Sequence, residues 1–301
     1  MINGIINVYK EKGYTSFDVV AKMRGMFHQK KIGHTGTLDP DAEGVLPVCL
    51  GKATKVCDLL TDKDKEYKAV LLLGQETDTQ DISGQILNTC EVKVTEEEVR
   101  MAISSFEGAY EQVPPMYSAL KVNGQKLCDL ARKGITVERK ARPVMIHKIE
   151  ITNINLPEVE MTVSCSKGTY IRTLCDDIGK KLGCYGCMKS LLRTKVDKFT
   201  VEEAITLSEL QKRLDESLEK EWTFIEPVDG VFRKYTSVTA KAEAQKLVVN
   251  GNRIPVELIS DFSEEKMQEN VRLYDSLQKF IGIYTYIEES KEYKPVKLFM
   301  D

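Results

Sequence analysis

The spacing of hydrophobic positions changes along the chain, and each change marks an element. Asn3 to Val8 alternates weakly and reads as an opening strand, followed by a turn at Lys10-Glu11-Lys12-Gly13. Thr15 offers a hydroxyl N-cap with Asp18 three residues on, and Val19, Val20, Met23, Met26 and Phe27 share one helical face. Val45 to Leu50 has strand character, and Lys52 to Leu60 reads as a short helix. Glu66 to Leu73 is a strong strand, with Ile86 to Val94 as its expected partner. A capping box at Thr95–Glu98 opens a helix to Phe106, and Leu127 to Lys133 is a short helix stopped by Gly134. Two strands, Val144–Ile154 and Val159–Cys165, precede a helix over Tyr170–Leu182. Arg193 to Val201 is strand or turn, and the acidic stretch after it is helical and polar. Beyond Pro227 the pattern shifts to one helix, Thr239–Val249, and short strands at Val271–Tyr274, Phe280–Tyr286 and Val296–Phe299. That tail is a β-rich module of about seventy residues, separable as a domain. Strands and helices do not alternate strictly, so the larger part is α+β rather than a doubly wound sheet.

Composition adds limits. The 301 residues suffice for two domains, and 42% hydrophobic with 30% charged residues is ordinary for a globular protein. No apolar run reaches membrane-spanning length, and Met1–Asn7 has neither a basic leader nor a cleavage site, so a cytoplasmic protein is expected. Eight cysteines are then expected as free thiols. Only Cys184 and Cys187 have C-x-x-C spacing; zinc there would need two more ligands, of which Cys175 could be one.

The net charge of −3 does not advertise a nucleic-acid binder, but its distribution is uneven. Ser118 to Lys148 carries eight cations against Asp129 and Glu138, a local +6, while Val201 to Glu221 carries seven acids against three bases. Such a segment is either a phosphate-facing surface or simply a solvated basic face.

Several chemistries fail on pattern. Gly51-Lys52 lacks the earlier glycine and the following hydroxyl of a P-loop, and no dinucleotide fingerprint, nucleophile elbow or H-E-x-x-H is present. What survives is carboxylate chemistry without a cofactor, or pure binding. Its candidate is the loop Gly33-His34-Thr35-Gly36-Thr37-Leu38-Asp39-Pro40, with Gly44 beyond. Asp39 taken alone reads first as an Asx-turn aspartate that bonds its own backbone, and its surroundings tilt the reading toward chemistry. A second glycine-hinged segment, Lys167-Gly168-Thr169-Tyr170-Ile171-Arg172, offers an arginine that would keep a neighbouring carboxylate ionised. Tyr67, in a strand, offers a flat face for a base or is a core tyrosine.

These residues resemble the motifs of the TruB-type tRNA pseudouridine synthases. Gly33–Pro40 with Gly44-Val45-Leu46 and Gly51–Lys55 is similar to the family's catalytic motif, Lys65-Glu66-Tyr67 to its tyrosine motif, and Lys167–Arg172 to its arginine motif. Pro114-Pro115-Met116-Tyr117-Ser118-Ala119-Leu120-Lys121 matches a further segment, and Leu191 falls where the family has a pocket leucine. The tail, with Asn250-Gly251 and Phe280–Ile283, is similar to a PUA domain. Two departures stand out: Glu11 replaces the proline of the opening K-P-x-G, and Cys128 replaces an aromatic.

The resemblance implies a mixed, mainly antiparallel sheet flanked by helices over residues 1–232, with a basic RNA-binding insertion at 118–148 and a small β-rich PUA-like domain at 233–301. It implies isomerisation of the uridine at position 55 in the TΨC loop of tRNA, with no cofactor and no metal. Asp39 would be the nucleophile or charge stabiliser, Arg172 its partner, and Tyr67 would stack on the flipped base. His34, Gly36, Thr37, Leu191, Tyr170, Lys121, Arg132 and Arg142 would contact the substrate, His34 being equally readable as structural. The glycines of the Asp39 loop would let RNA approach the backbone. The partner would be the TΨC stem-loop, with no membrane and no protein partner required, the chain acting as a monomer. A non-catalytic RNA-binding or tRNA-folding protein on the same scaffold is the alternative, and an isomerase acting on another RNA a third reading.

Overall fold

The computed structural model describes all residues except 217, 219–221, 268–269 and 301. In chain order the larger part runs β1 (Gly4–Lys10), α1 (Ser16–Met26), β2 (Ile32–His34), β3 (Glu43–Leu50), α2 (Cys57–Thr61), β4 (Lys65–Leu73), β5 (Gln75–Thr77), β6 (Ile86–Thr89), α3 (Glu96–Ser104) and β7 (Gly108–Gln112). It continues through β8 (Lys121–Val122), β9 (Gln125–Lys126), α4 (Leu127–Ala131), β10 (Arg142–Asn155), β11 (Glu158–Cys165), α5 (Ile171–Leu182), β12 (Gly186–Val196), β13 (Phe199–Thr200) and α6 (Leu207–Glu216). The tail adds β14 (Ser237–Thr239), α7 (Gln245–Val249), β15 (Ile254–Pro255), β16 (Val271–Tyr274), β17 (Phe280–Ile287) and β18 (Glu292–Leu298).

The main sheet has the order β1-β3-β12-β4-β11-β10-β7, with β2 on β3 and β13 on β12. Every pairing in it is antiparallel except β3 with β12. The expected α+β, mainly antiparallel architecture is therefore the observed one. Helices cover the sheet because their apolar faces need a partner. Both expected capping boxes form: Thr15 and Asp18 exchange hydrogen bonds at the start of α1, as do Thr95 and Glu98 at α3.

One core lies between α3, α5 and the β12-β4-β11-β10 part of the sheet, and a second between α1, α6 and β1–β3. The other face of β1–β3 packs on the tail: Ile5, Val45, Val56 and Leu60 share a core with Phe232, Ile283 and Phe299. The tail itself is a five-stranded sheet, β14-β16-β17-β18-β15.

Four boundaries differ from the reading of the sequence. Ile86–Thr89 does not join the main sheet; it pairs with β5 in a separate ribbon, because Gly74 turns the chain out of β4 with positive φ. The strand expected from Arg193 starts at Gly186 and sits mid-sheet. The tail helix is confined to Gln245–Val249, since Ser237–Thr239 pairs with β16. Gly51–Val56 is a 3₁₀ turn, and only Cys57–Thr61 is α-helical. The acidic stretch forms α6, which buries Leu207 and Leu210 and so is amphipathic; residues 217 and 219–221 of that stretch lie outside the described residues.

Candidate active site

The loop between β2 and β3 is held at both ends and in its middle. Thr35 N and Oγ1 both donate to Pro47 O, at 3.1 and 3.2 Å. Leu38 is buried in the main core, and its N–H donates to Ser16 Oγ at 2.9 Å. The Pro40 carbonyl accepts from Gly13 N at 2.9 Å and from Lys10 Nζ at 3.1 Å. The turn at Gly13 therefore survives Glu11 standing where the family has proline. Gly44 has φ +106°, and a Cβ there would lie 2.2 Å from Arg193 O. The close approach that this glycine permits is to the backbone of β12, not to an open surface.

Arg172 enters from the first turn of α5. Its Nε lies 2.9 Å from Asp39 Oδ2, and its Nη2 donates to Asp39 Oδ1 at 3.2 Å. Nη1 donates to Thr79 O and Nη2 also to Tyr117 O, both at 2.8 Å. Asp81 Oδ2 is 3.8 Å from Nε. The arginine is almost wholly enclosed, its side chain 5% exposed, whereas that of Asp39 is 41% exposed to the cleft. A planar guanidinium bonded to carbonyls on two other segments is a rigid clamp, so the carboxylate it grips is pre-oriented. Burial pushes the Asp39 carboxyl above its ordinary range; Arg172 pulls it back and Asp81 adds to the rise. Arg172 thus acts in the expected direction but does not outweigh burial.

Asp39 and Arg172 stand on the wall shared by two lobes, of about 740 and 530 Å³. The smaller lobe is lined by Tyr67, Leu191, Tyr170, Gly36 and Thr37, with Arg142 at its edge. Tyr67 and Leu191 sit on the neighbouring strands β4 and β12. Burial raises the Tyr67 hydroxyl, which is hydrogen-bonded to Arg193. The larger lobe carries Thr37, Leu191, Cys128 and Arg132. His34 lines neither lobe; burial lowers its pKa, against a backbone contact at Gly36 that raises it. Lys121 is exposed on the β8–β9 ribbon and also lines neither lobe.

Three buried cations at the site lie outside the expected site residues, although Lys10 and Lys65 stand within motifs named above and only Arg193 lies outside them. Arg193 is 1% exposed, and its Nε donates to Val45 O at 2.7 Å. Lys10 is fully enclosed, and burial takes it down to about 8. Lys65 lines the smaller lobe beside Tyr67. One signal could have found them: each lies two residues from an inward side chain on its own strand, Arg193 from Leu191, Lys10 from Val8 and Lys65 from Tyr67.

Among the described residues no cluster of His, Cys, Asp or Glu could hold a metal, and all eight cysteines are free thiols. Cys184 and Cys187 are both buried. Among the described residues no helix is long and apolar enough to cross a membrane.

The chain is similar to proteins of one family along its length. A family model described as TruB family pseudouridylate synthase (N terminal domain) matches residues 24–171, and one described as tRNA pseudouridylate synthase B C-terminal domain matches 172–233. The chain is 52% identical to tRNA pseudouridine synthase B of Lachnoclostridium phytofermentans, over 99% of this chain and 100% of that one. It is 46% identical to the protein of the same name from Alkaliphilus oremlandii, over 99% and 97%. Among solved structures, a Cbf5-Nop10-Gar1 complex contains a chain of 28% identity, with TM-score 0.72 over 99% of this chain and 85% of that one. A chain in an H/ACA RNP bound to a substrate RNA containing 2′-deoxyuridine has 26% identity and TM-score 0.70, with the same coverage.

Proposed function

Since the chain belongs to the TruB family of pseudouridine synthases, and so isomerises uridine to pseudouridine in tRNA, we propose that its target is position 55 in the TΨC loop and that Asp39 is its nucleophile. The observation that supports this reading is the side-on pair of Arg172 and Asp39 on the wall between two lobes. A uridine inside a folded loop cannot present its glycosidic bond to a carboxylate unless the base leaves its stack. The smaller lobe suits the extruded base: Tyr67 and Leu191 line it, the tyrosine offering a ring on which a base can stack. Asp39 then meets the ribose or the base edge with its carboxylate held by Arg172. Isomerisation moves no net electrons and adds no water, so the chemistry calls for no cofactor.

Gly36, Thr37 and Tyr170 line the base lobe and would contact the nucleotide, while His34, which lines neither lobe, would serve the structure of the loop. Arg132 and Arg142, at the edges of the two lobes, together with Lys121 on the exposed ribbon, would grip phosphates of the TΨC arm. In this reading residues 1–232 are the catalytic domain with 118–148 as its RNA-binding insertion, and 233–301 is a PUA-like RNA-binding domain. In this reading the chain acts as a monomer that requires no protein partner, in the cytoplasm where tRNA is processed. Incubating the protein with a TΨC stem-loop and mapping pseudouridine tests the reading. Conversion at the position equivalent to 55 is expected; tight binding with an unmodified uridine would favour an RNA-folding role instead.

A further inference from the structure

The smaller lobe contains more positive charge than its carboxylates balance. Arg193 is 1% exposed and Lys65 7% exposed, and both line this lobe with Tyr67. Among the described residues neither meets a carboxylate. Arg193 donates to Val45 O at 2.7 Å and to Gly36 O at 3.5 Å, and bonds the Tyr67 hydroxyl. Lys65 Nζ donates to Thr61 O and Lys63 O, both at 2.5 Å. An ammonium has three donors, so one N–H of Lys65 is left without a protein acceptor among the described residues. Burying an unpaired cation is costly, and a fold that keeps two in one cavity leaves that cavity receptive to an anion.

With the base in this lobe, as proposed above, and Asp39 meeting the ribose, the isomerisation would supply such an anion where these cations lie. On this route the N1–C1′ bond breaks with its electron pair on the base as an Asp39 carboxylate oxygen bonds C1′. The base turns, C5 donates a pair to C1′ and displaces the Asp39 carboxylate, the C5 proton is released and N1 gains one. The product is an isomer, with nothing oxidised or reduced. Between the two bond events the free uracil is an anion, its charge shared between the ring nitrogens and carbonyl oxygens. It must be held while it rotates, which favours diffuse positive charge over one fixed contact.

We propose that Lys65, together with Arg193, stabilises the detached uracil as an anion during its rotation. The proposal rests on the isomerase reading above and adds to it a residue that lies outside the aspartate, tyrosine and arginine of the site. Lys65 suits the role because its ammonium is fixed by the carbonyls ending α2, on the same strand face as the stacking tyrosine. The groups that face it are Arg193 from β12, Cys165 from β11, and Asp62 and Asp64 from the turn before β4. Burial, then Arg193, lower Lys65 to about 8, so its charge is lost as pH rises through that value.

The test is single-turnover isomerisation of a TΨC stem-loop by the full chain, with saturating enzyme, across the alkaline range. Lys65→Gln should slow the rate by about 30-fold or more while the RNA dissociation constant stays within about threefold. Lys65→Arg keeps the charge, so it should retain the rate within about fivefold and carry the alkaline fall in rate to higher pH. Lys10 also titrates at about 8, so Lys10→Arg is run beside it. A wild-type rate in Lys65→Gln would overturn the proposal. So would equal losses of rate, RNA binding and melting temperature in both Lys65 variants, or an alkaline limb that follows Lys10→Arg and ignores Lys65→Arg. Wild-type protein making no pseudouridine would sink the isomerase reading itself; normal wild-type product with an unaffected Lys65→Gln would sink only the role of Lys65.

Discussion

Arg172 grips Asp39 side-on, with Nε 2.9 Å from one carboxylate oxygen and Nη2 3.2 Å from the other. The two residues are 133 positions apart, and each is immobilised separately. Leu38 anchors the aspartate loop in the core, and the carbonyls of Thr79 and Tyr117 fix the arginine. Lysine at this position would keep the charge but lose the fork. Arg172→Lys should therefore lower the single-turnover rate by about 100-fold, and remove a donor from at least one of the two carbonyls. Rapid-quench kinetics beside thermal melting checks this; an unchanged rate would mean that the orientation of Asp39 does not matter.

The acid limb of the rate follows the same pair. A nucleophilic Asp39 must be ionised, and burial raises its pKa above the ordinary aspartate range against the pull of Arg172. Activity should fall as pH drops through that raised value, at a pH above the ordinary aspartate range. Removing the guanidinium by Arg172→Met takes away the opposing pull, so the limb should move further up. A limb that moves down, or stays fixed, contradicts the assignment.

Gly44 lets β3 lie against β12 at the start of the parallel pairing. Alanine there would be strained by φ +106° and would meet Arg193 O at 2.2 Å. Gly44→Ala should cost about 3 kcal/mol or more and lower the melting temperature by about 5–10 °C. Gly13→Ala provides the contrast: φ is +88° but no atom lies within 4 Å, so only about 1 kcal/mol is expected. Differential scanning calorimetry of the two variants separates close packing from backbone strain.

The tail shares a core with the body, so it should not unfold by itself. Phe232 packs against Tyr235, Phe280 and Phe299 in the cluster that includes Ile5 and Val45. Phe232→Ala should cost about 3–5 kcal/mol and shift one common transition, seen alike by a probe in each part. Two transitions, only one of them shifted, would show the tail to be independent.

What the sequence reveals depends on how local the cause is. Helix α1 is legible because Thr15 and Asp18 cap it within four residues, and β16 because its apolar alternation is complete. Gly186 to Ser190 is not legible as strand: its place is set by Gly179 of α5, where a Cβ would lie 2.2 Å from Gly186 N. Ile86 to Val94 is strand-like in composition, but nothing within it tells which strand it will pair. The chemical residues divide in the same way. Asp39, Tyr67 and Arg172 stand in motifs, whereas Arg193 is a lone arginine whose partners, Val45 and Gly36, are about 150 residues away. Only the two-residue period of β12 hints that it points inward.

The most direct measurement is the single-turnover rate of Asp39→Asn on a TΨC stem-loop, with RNA affinity measured in parallel. Asparagine preserves shape and the acceptor toward Arg172 but not the nucleophile. The account predicts no detectable pseudouridine with affinity within about threefold of wild type. Pseudouridine forming at a rate near that of wild type would contradict it.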